Sequence, residues 1–178
     1  MEAKYPLLMR ILHWVIGLMI ISLLAVGFFM ADIPDDAPNK YDLYPLHKAF
    51  GFIVLILVLG RILVRVISKV PALPQSLAAW EVKLSHIVHI LLYIAMITMT
   101  WSGYLMSSFF PHSQGLDLFG IVTVPDLVEK SEEWSGFFHE IHGYCAWFFV
   151  ALLVFHIAGV IKHRFFDAKE SDVLKRMM

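Results

Sequence analysis

The sequence predicts an all-α membrane protein, a bundle of four transmembrane helices connected up-down-up-down. Hydrophobic residues make up 59% of the 178 residues and charged residues only 16%, whereas a soluble domain usually carries about a quarter charged residues. The charges cluster in short segments, and the stretches between them stay apolar for about 20 residues or more, the length that crosses a bilayer core. A chain inside lipid must satisfy its own backbone hydrogen bonds, so these stretches are predicted to be helices.

The four predicted spans form a single domain over residues 1–178. They cover about residues 7–31, 46–70, 79–110 and 137–163. Pro45 stands where a helix start tolerates proline, and Pro71 and Pro74 stand where the second span must stop. The connection over residues 111–136 is long enough to form a cap, in which we expect a short amphipathic helix.

The distribution of positive charge predicts the orientation of the bundle. Eleven lysines and arginines lie in the N-terminal segment, around the loop after span two and in the C-terminal tail, against three in the other two loops (Lys40, Lys48 and Lys130). By the positive-inside rule both termini are predicted to lie in the cytoplasm. The chain is therefore expected to be a multi-pass membrane protein, with lipid as its surroundings.

Net charge and cysteine content exclude several functions. The formal net charge of −1 gives no reason to expect nucleic acid as a partner. The one cysteine, Cys145, lies in an apolar stretch, where a small buried hydrophobic role is expected. It cannot form an internal disulfide or a multi-cysteine metal site, and the sequence contains no Cys-x-x-Cys-His for covalent attachment of haem.

Nine histidines occur in the sequence, and most lie within or at the ends of the predicted spans. Polar side chains in a membrane are costly and commonly mark function, although one alone can simply bridge helices by a hydrogen bond. His142 and His156 lie fourteen residues apart, which puts them on one helix face with a rise of about 21 Å and a net rotation of about 40°. His47 matches His142 in depth, and His13 matches His156. The sequence thus predicts two histidine pairs at two levels.

Two facing imidazoles are the ligands that saturate a haem iron in an electron carrier. A haem also needs a gap between helices. Gly17 and Gly51 follow paired histidines by four residues and so share their helix face, and Gly159 follows His156 by three. These glycines either leave room for the flat ring or only allow close helix packing. The pairs predict two haems b.

A non-haem metal site is the other chemical interpretation of the histidines. It would need three or four histidines and carboxylates at one level, whereas these histidines divide between two levels and no carboxylate lies deep in a span. His139, one turn before His142, fits the shared face less well and is interpreted as a residue at the rim of the outer site. A purely structural protein would leave the paired depths unexplained.

A set of motifs at these depths carries a family resemblance. They are His13-Trp14 in the first span, His47-x-x-x-Gly51 with Arg61 and Arg65 in the second, Ser85-His86-x-x-His89 in the third, and His142 with His156 in the fourth. The set resembles the prokaryotic cytochrome b561 family, which is related to the cytochrome b subunits of membrane formate dehydrogenases and nickel–iron hydrogenases. The resemblance covers essentially the whole chain.

The resemblance implies ligands and partners. It implies that His13 and His156 hold an inner haem through its iron, and that His47 and His142 hold an outer haem in the same way. It also implies electron exchange with a quinone. Some members of the family are superoxide oxidases that pass electrons to ubiquinone, and other relatives are the membrane arm of a dehydrogenase.

Further polar residues lie in the cytoplasmic half of the predicted bundle, and the sequence allows two roles for them. His86 and His89 lie on one side of span three near the cytoplasmic interface, where they either line a quinone site and relay protons or bond propionates and helix ends. His163 could belong to the same cluster. Arg10 and Arg61 either pair with haem propionates or, like Arg65, follow the positive-inside rule.

The function expected from these residues is electron transfer between a periplasmic donor, either a small molecule or a protein, and the quinone pool. Superoxide:ubiquinone oxidoreduction is one form of it. The outer loops hold nine acids, which favours a basic protein over superoxide as donor. The alternative is a cytochrome b subunit that anchors a dehydrogenase or hydrogenase. The sequence leaves the oligomeric state open, a homodimer included.

Overall fold

The computed structural model describes residues 4–178 and consists mainly of four long helices. They are, in chain order, α1 (Leu7–Asp32), α2 (Tyr44–Ile67), α3 (Ala79–Phe109) and α4 (Glu132–Phe165). Each is long and apolar enough to cross a membrane, which confirms the predicted four-helix membrane fold. Pro45 lies in the first turn of α2, where its missing N–H would have no helical partner.

The helices pack in chain order, with α1 against α2, α2 against α3 and α3 against α4. Arg61 near the end of α2 bonds the Met9 carbonyl near the start of α1, so α1 and α2 run antiparallel. Lys162 near the end of α4 pairs with Glu81 near the start of α3, so α3 and α4 run antiparallel as well. Among the described residues, α4 makes no comparably close backbone contact with α1 or α2. A gap spanned by side chains therefore separates α4 from these two helices.

The apolar core draws on all four helices. Its buried members are Ile16, Leu24, Val54, Val58, Ala95, Met96, Cys145, Phe149 and Leu152. Large apolar side chains also cover the outside of the bundle, where Leu18, Ile56, Ile90 and Phe155 are exposed. Exposed apolar residues in such number suit a surface that faces lipid. Cys145 is buried, as expected from its apolar surroundings.

The connection between α3 and α4 forms a β-hairpin, so the amphipathic helix expected there was wrong. Strand β1 (Leu116–Leu118) pairs antiparallel with β2 (Val122–Val124). Residues 119–121 connect the strands, because Leu118 pairs with Val122. Phe119 and Gly120 in this turn both have positive φ, 59° and 72°, a conformation that favours glycine. Leu-Asp-Leu and Val-Thr-Val both alternate apolar and polar residues, as half-buried strands do.

The end of the bundle that carries this hairpin and the α1–α2 connection is called here the hairpin end, and the opposite one the terminal end. The segment before α1 and the C-terminal tail meet at the terminal end, where the Tyr5 N–H donates to the Arg176 carbonyl at 3.1 Å. The Trp14 indole donates to the Met177 carbonyl at 2.8 Å, and the Arg176 guanidinium donates to the Ala72 carbonyl at 2.7 Å. The C-terminal tail thus connects α1, the α2–α3 loop and α4.

Candidate functional site

Two pairs of imidazole rings face each other across the gap beside α4. At the hairpin end, the ring centroids of His47 and His142 lie 6.3 Å apart. At the terminal end, those of His13 and His156 lie 6.0 Å apart. The structure therefore brings together the same pairs that the depth of each histidine suggested, and their role as ligands stays a prediction.

A cavity lies between the histidines of the hairpin end. About 740 Å³ of space lies between the residues that line it, part of it open to the outside of the bundle. Its lining is mostly apolar and includes Ile20, Leu24, Val54, Met96, Met99 and Phe149. Lys48 and Tyr104 are among its few polar lining residues. A lining of this kind suits a mostly apolar ligand.

His142 is held in a defined orientation by α3. Its Nδ1 lies 3.0 Å from the Met99 carbonyl and 3.2 Å from the Ser102 hydroxyl. A carbonyl oxygen only accepts, so Nδ1 carries the proton and Nε2 keeps its lone pair. Gly103 packs against the same ring, where an added Cβ would lie 2.9 Å from Cε1 of His142. The imidazole is thus oriented by hydrogen bonds and enclosed by backbone, as is common for metal-binding histidines.

His47 has different surroundings. Its Nδ1 is buried and has no hydrogen-bond partner. Gly27 of α1 lies against this ring, since an added Cβ would be 3.3 Å from Cε1 of His47. A buried imidazole nitrogen without a partner is costly, which indicates that a group beyond the described chain completes this site.

The histidines at the terminal end form a cluster of three. The His156 ring lies 5.4 Å from that of His89 and 6.0 Å from that of His13. Nδ1 of His89 lies 2.6 Å from the Ser85 carbonyl, which leaves its Nε2 free. Arg61 borders the cluster and donates to the Tyr93 hydroxyl at 3.2 Å. His86 is exposed one turn before His89.

His163 does not join this cluster. It lies with Glu81 and Asp167 in a group with the spacing of a metal site. The Lys162 ammonium, however, bridges the two carboxylates, at 2.6 Å from Glu81 and 2.8 Å from Asp167. Hydrogen bonds from Lys162 and His163 hold the pKa of Asp167 below its usual range. The group is therefore a closed ion-pair network between α3 and α4, and the expectation for His163 was wrong.

Four residues that pack on the histidines were not found from the sequence. They are Gly27, Met99, Ser102 and Gly103. Gly17, Gly51 and Gly159 were interpreted either as room for a flat ring or as sites of close helix packing, and an added Cβ at each would meet nothing within 4 Å. Of these three, only Gly51 lines the cavity. Helix spacing relates residues on one helix, whereas Gly27 and Gly103 act on histidines of neighbouring helices.

Four apolar helices with facing histidines across a gap define the class of membrane-embedded b-type cytochromes. Comparison with known proteins agrees with this class. Residues 4–178 match the family model of prokaryotic cytochrome b561, and the chain belongs to that family. It is similar to cytochrome b561 homolog 2 of Escherichia coli (strain K12), with 27% identity over 175 residues that cover 98% of this chain and 91% of that protein.

The chain is therefore a multi-pass membrane cytochrome that binds haem b and transfers electrons. Its residues fit the cofactor. The ring centres of the two facing pairs lie 6.0 and 6.3 Å apart, so one nitrogen of each ring could hold a haem iron placed between them. The apolar cavity and the free Nε2 of His142 complete the fit at the hairpin end.

Proposed function

We propose that this cytochrome holds two haems b and transfers electrons across the bacterial inner membrane between a donor at the hairpin end and the quinone pool. The observation that carries the proposal is the presence of two imidazole pairs at opposite ends of α4, with centroid separations of 6.3 and 6.0 Å. When bound, each haem supplies one-electron redox chemistry, and the protein supplies the ligands and the apolar surroundings.

The ligands in this proposal are His47 and His142 for one haem, and His13 and His156 for the other. The surroundings of His142 support its part, because Met99 and Ser102 hold its Nδ1 and leave Nε2 free. The orientation of the bundle follows from charge. The terminal end carries most of the lysines and arginines, which supports a cytoplasmic location of that end and a periplasmic location of the hairpin end.

His86 and His89 are the residues we propose for the quinone site. His89 is exposed and lies beside His156, so a quinone in contact with it would lie close to the terminal-end pair. Its free Nε2 can donate or accept the protons that quinone reduction requires. Replacing His89 by phenylalanine keeps a ring in contact with His156 but removes both nitrogens. With haem content unchanged, we expect quinone reduction by His89→Phe to slow at least tenfold, and unchanged quinone kinetics would exclude the role.

Superoxide oxidation is one concrete form of this function. Two superoxide anions would each lose one electron and leave as dioxygen, while one quinone takes up two electrons and two protons. The experiment mixes the oxidised, haem-replete protein with superoxide in a stopped-flow spectrometer, with and without a quinone analogue. Rapid haem reduction followed by quinone-dependent reoxidation supports it. Slow reduction by superoxide, with haems that quinol reduces readily, supports a protein donor instead.

The second candidate is a cytochrome b subunit that anchors a dehydrogenase or hydrogenase. The strongly acidic hairpin end favours it, because such a surface suits a protein more than a small anion. Quinone-linked turnover by the purified chain alone would separate the two candidates. Turnover without any partner chain excludes an obligatory subunit, and turnover only after addition of a partner excludes a self-sufficient enzyme.

A further inference from the structure

The hairpin end carries a strongly negative charge that its lysines do not offset at the surface. Nine carboxylates and three lysines lie in its loops and at the start of α4, and all of the carboxylates except Asp126 are exposed. Lys40 is buried, with its ammonium 2.5 Å from the Ile33 carbonyl and 3.1 Å from Asp35. Lys130 pairs with Asp126 at 2.5 Å. Lys48 lines the cavity and is not exposed.

An apolar tip stands within this negative surface. Ile121 in the hairpin turn is 86% exposed, and Phe119, Val122 and Leu127 are exposed as well. Exposed apolar groups surrounded by charge mark sites of protein interaction. We call these four residues the hairpin tip.

The hairpin is anchored rigidly to the bundle. The Asp126 carboxylate accepts hydrogen bonds from the Ser113 hydroxyl at 3.1 Å and the Gly115 N–H at 3.0 Å. Burial alone would raise the pKa of Asp126. The hydrogen bonds and the charge of Lys130 outweigh this effect and lower the pKa below its usual range. The Tyr104 hydroxyl donates to the Pro125 carbonyl at 2.6 Å. A surface that is ordered before binding loses less entropy when a partner docks.

The hairpin also reaches the candidate haem site. Leu116 of β1 is buried and lines the cavity beside His47 and His142. On the outside, the Phe119 ring lies 5.2 Å from that of Phe50 in α2. Leu116 thus borders the cavity while the tip of the same hairpin, three to five residues further along the chain, is exposed. The hairpin therefore connects the outer surface with the lining of the site.

We propose that the hairpin tip, with the carboxylates around it, is the docking surface for a soluble redox protein that has a basic face with a small apolar centre. The proposal rests on electron transfer through the hairpin end. Opposite charges would steer the partner to the surface, and the hairpin tip would give the close apolar contact. Insertion of the tip into lipid is the competing arrangement, and the carboxylates of Asp117 and Glu129 disfavour it.

The test uses cytochrome c, a basic soluble haem protein, as the probe. The cytochrome in nanodiscs is reduced with dithionite, freed of excess reductant and mixed with oxidised cytochrome c, and haem oxidation is followed by stopped flow. Because dithionite supplies the electrons, the result does not depend on quinone chemistry. We expect the second-order rate constant to fall at least tenfold between 0.01 and 0.5 M salt, since the screening length shrinks from about 30 Å to a few ångströms. A rate constant that is flat or rises with salt would overturn the proposal.

Matched variants separate surface charge from other effects. Glu129→Lys should slow the reaction at least threefold at low salt and have little effect at high salt. Glu170→Lys makes the same change of charge in the tail at the terminal end, where Glu170 is exposed, and should leave the rate unchanged. Cytochrome c with acetylated lysines should lose the salt dependence. Equal effects of the two variants would show that overall charge, and not the hairpin end, controls the rate.

Two further variants test the hairpin tip. Ile121→Ser should slow the reaction at least threefold at high salt as well, because it removes apolar contact area. Ile121→Cys allows a fluorophore to be attached, since Cys145 is buried. Addition of cytochrome c should quench this label, whereas nitroxide-bearing lipids should not. Quenching by the lipids would place the tip in the bilayer and overturn the proposal. Absence of haem, or haems that quinol does not reduce, would instead contradict the proposed function.

Discussion

Gly103 of α3 lies directly against the imidazole of His142 in α4, so that a Cβ at position 103 would lie 2.9 Å from Cε1 of that ring. Only hydrogen at this position lets the ring remain between the Met99 carbonyl and the cavity. A methyl group would have to displace the ring or separate the two helices. This contact, and not the spacing of histidines along the chain, determines where the His142 ring can lie.

Gly103→Ala is therefore expected to impair the hairpin-end haem. The added methyl group overpacks the contact, at a cost of about 1–3 kcal/mol, and moves His142 from its orientation. We expect roughly half the haem content of the unmodified protein, measured from the pyridine haemochrome spectrum. Gly143→Ala is the control, because a Cβ at Gly143 in the same region of α4 would meet nothing within 4 Å. Full haem content in both variants would show that the contact between Gly103 and His142 is not needed for haem binding.

Single histidine replacements should remove one haem each. His142→Ala is expected to abolish the hairpin-end haem and His156→Ala the terminal-end haem, because an iron with one axial histidine left is held less tightly. Each variant should retain about half the haem, and the reduction potential of the haem that remains should differ between the two variants. His139→Ala should keep both haems. His139 is exposed and lies one turn before His142, and it is His142 whose ring faces His47. Loss of all haem in either single variant would contradict two independent sites.

Ser102→Ala should change a reduction potential without loss of haem. The Ser102 hydroxyl lies 3.2 Å from Nδ1 of His142, and an acceptor at Nδ1–H makes the imidazole a more basic ligand that favours ferric iron. Removing it should raise the potential of one haem by about 30–59 mV, which corresponds to a threefold to tenfold change in the ferric–ferrous equilibrium. Spectroelectrochemical titration measures this. Ser107→Ala is the control, because the buried hydroxyl of Ser107 has no hydrogen-bond partner in the described structure; its potentials should stay unchanged.

Asp172 should stabilise the tail in a pH-dependent way. It is buried, and burial alone would raise its pKa, but hydrogen bonds from Arg164 and the Leu174 N–H and the charge of Arg164 lower the pKa below its usual range. The folded-state pKa is thus below the unfolded value of about 3.9, so the stabilisation is fully present above that pH and is lost as pH falls through the folded pKa.

Asp172→Asn is expected to destabilise the protein by about 1.5–3 kcal/mol at pH 7, as hydrogen bonds to charged groups typically contribute. The difference from the unmodified protein should narrow near pH 3, as thermal unfolding in detergent would show. Glu170→Gln in the same tail is the control, since Glu170 is exposed, and it should have little effect. A difference for Asp172→Asn that does not change with pH would indicate that its charge is not responsible.

Most of the fold could be predicted from local patterns in the sequence. The four spans follow from runs of apolar residues, because a bilayer requires a fixed length of apolar helix whatever its neighbours are. The hairpin was missed although its signals were present in Leu116–Leu118 and Val122–Val124, with Gly120 in the turn. Those strands are only three residues long, and so short a stretch contains too few residues to distinguish strand from helix by periodicity.

The sequence by itself determined that the chain crosses the membrane four times and that His142 and His156 share a face of one helix at two levels. Both follow from the geometry of a single helix in lipid, which needs no knowledge of its neighbours. Only the tertiary structure decided that Ser102 and Met99 orient His142, that Gly103 encloses it, and that the tail closes the terminal end. These contacts join residues that are far apart in the chain, and they depend on how helices rotate and slide against one another, which spacing along one helix does not contain.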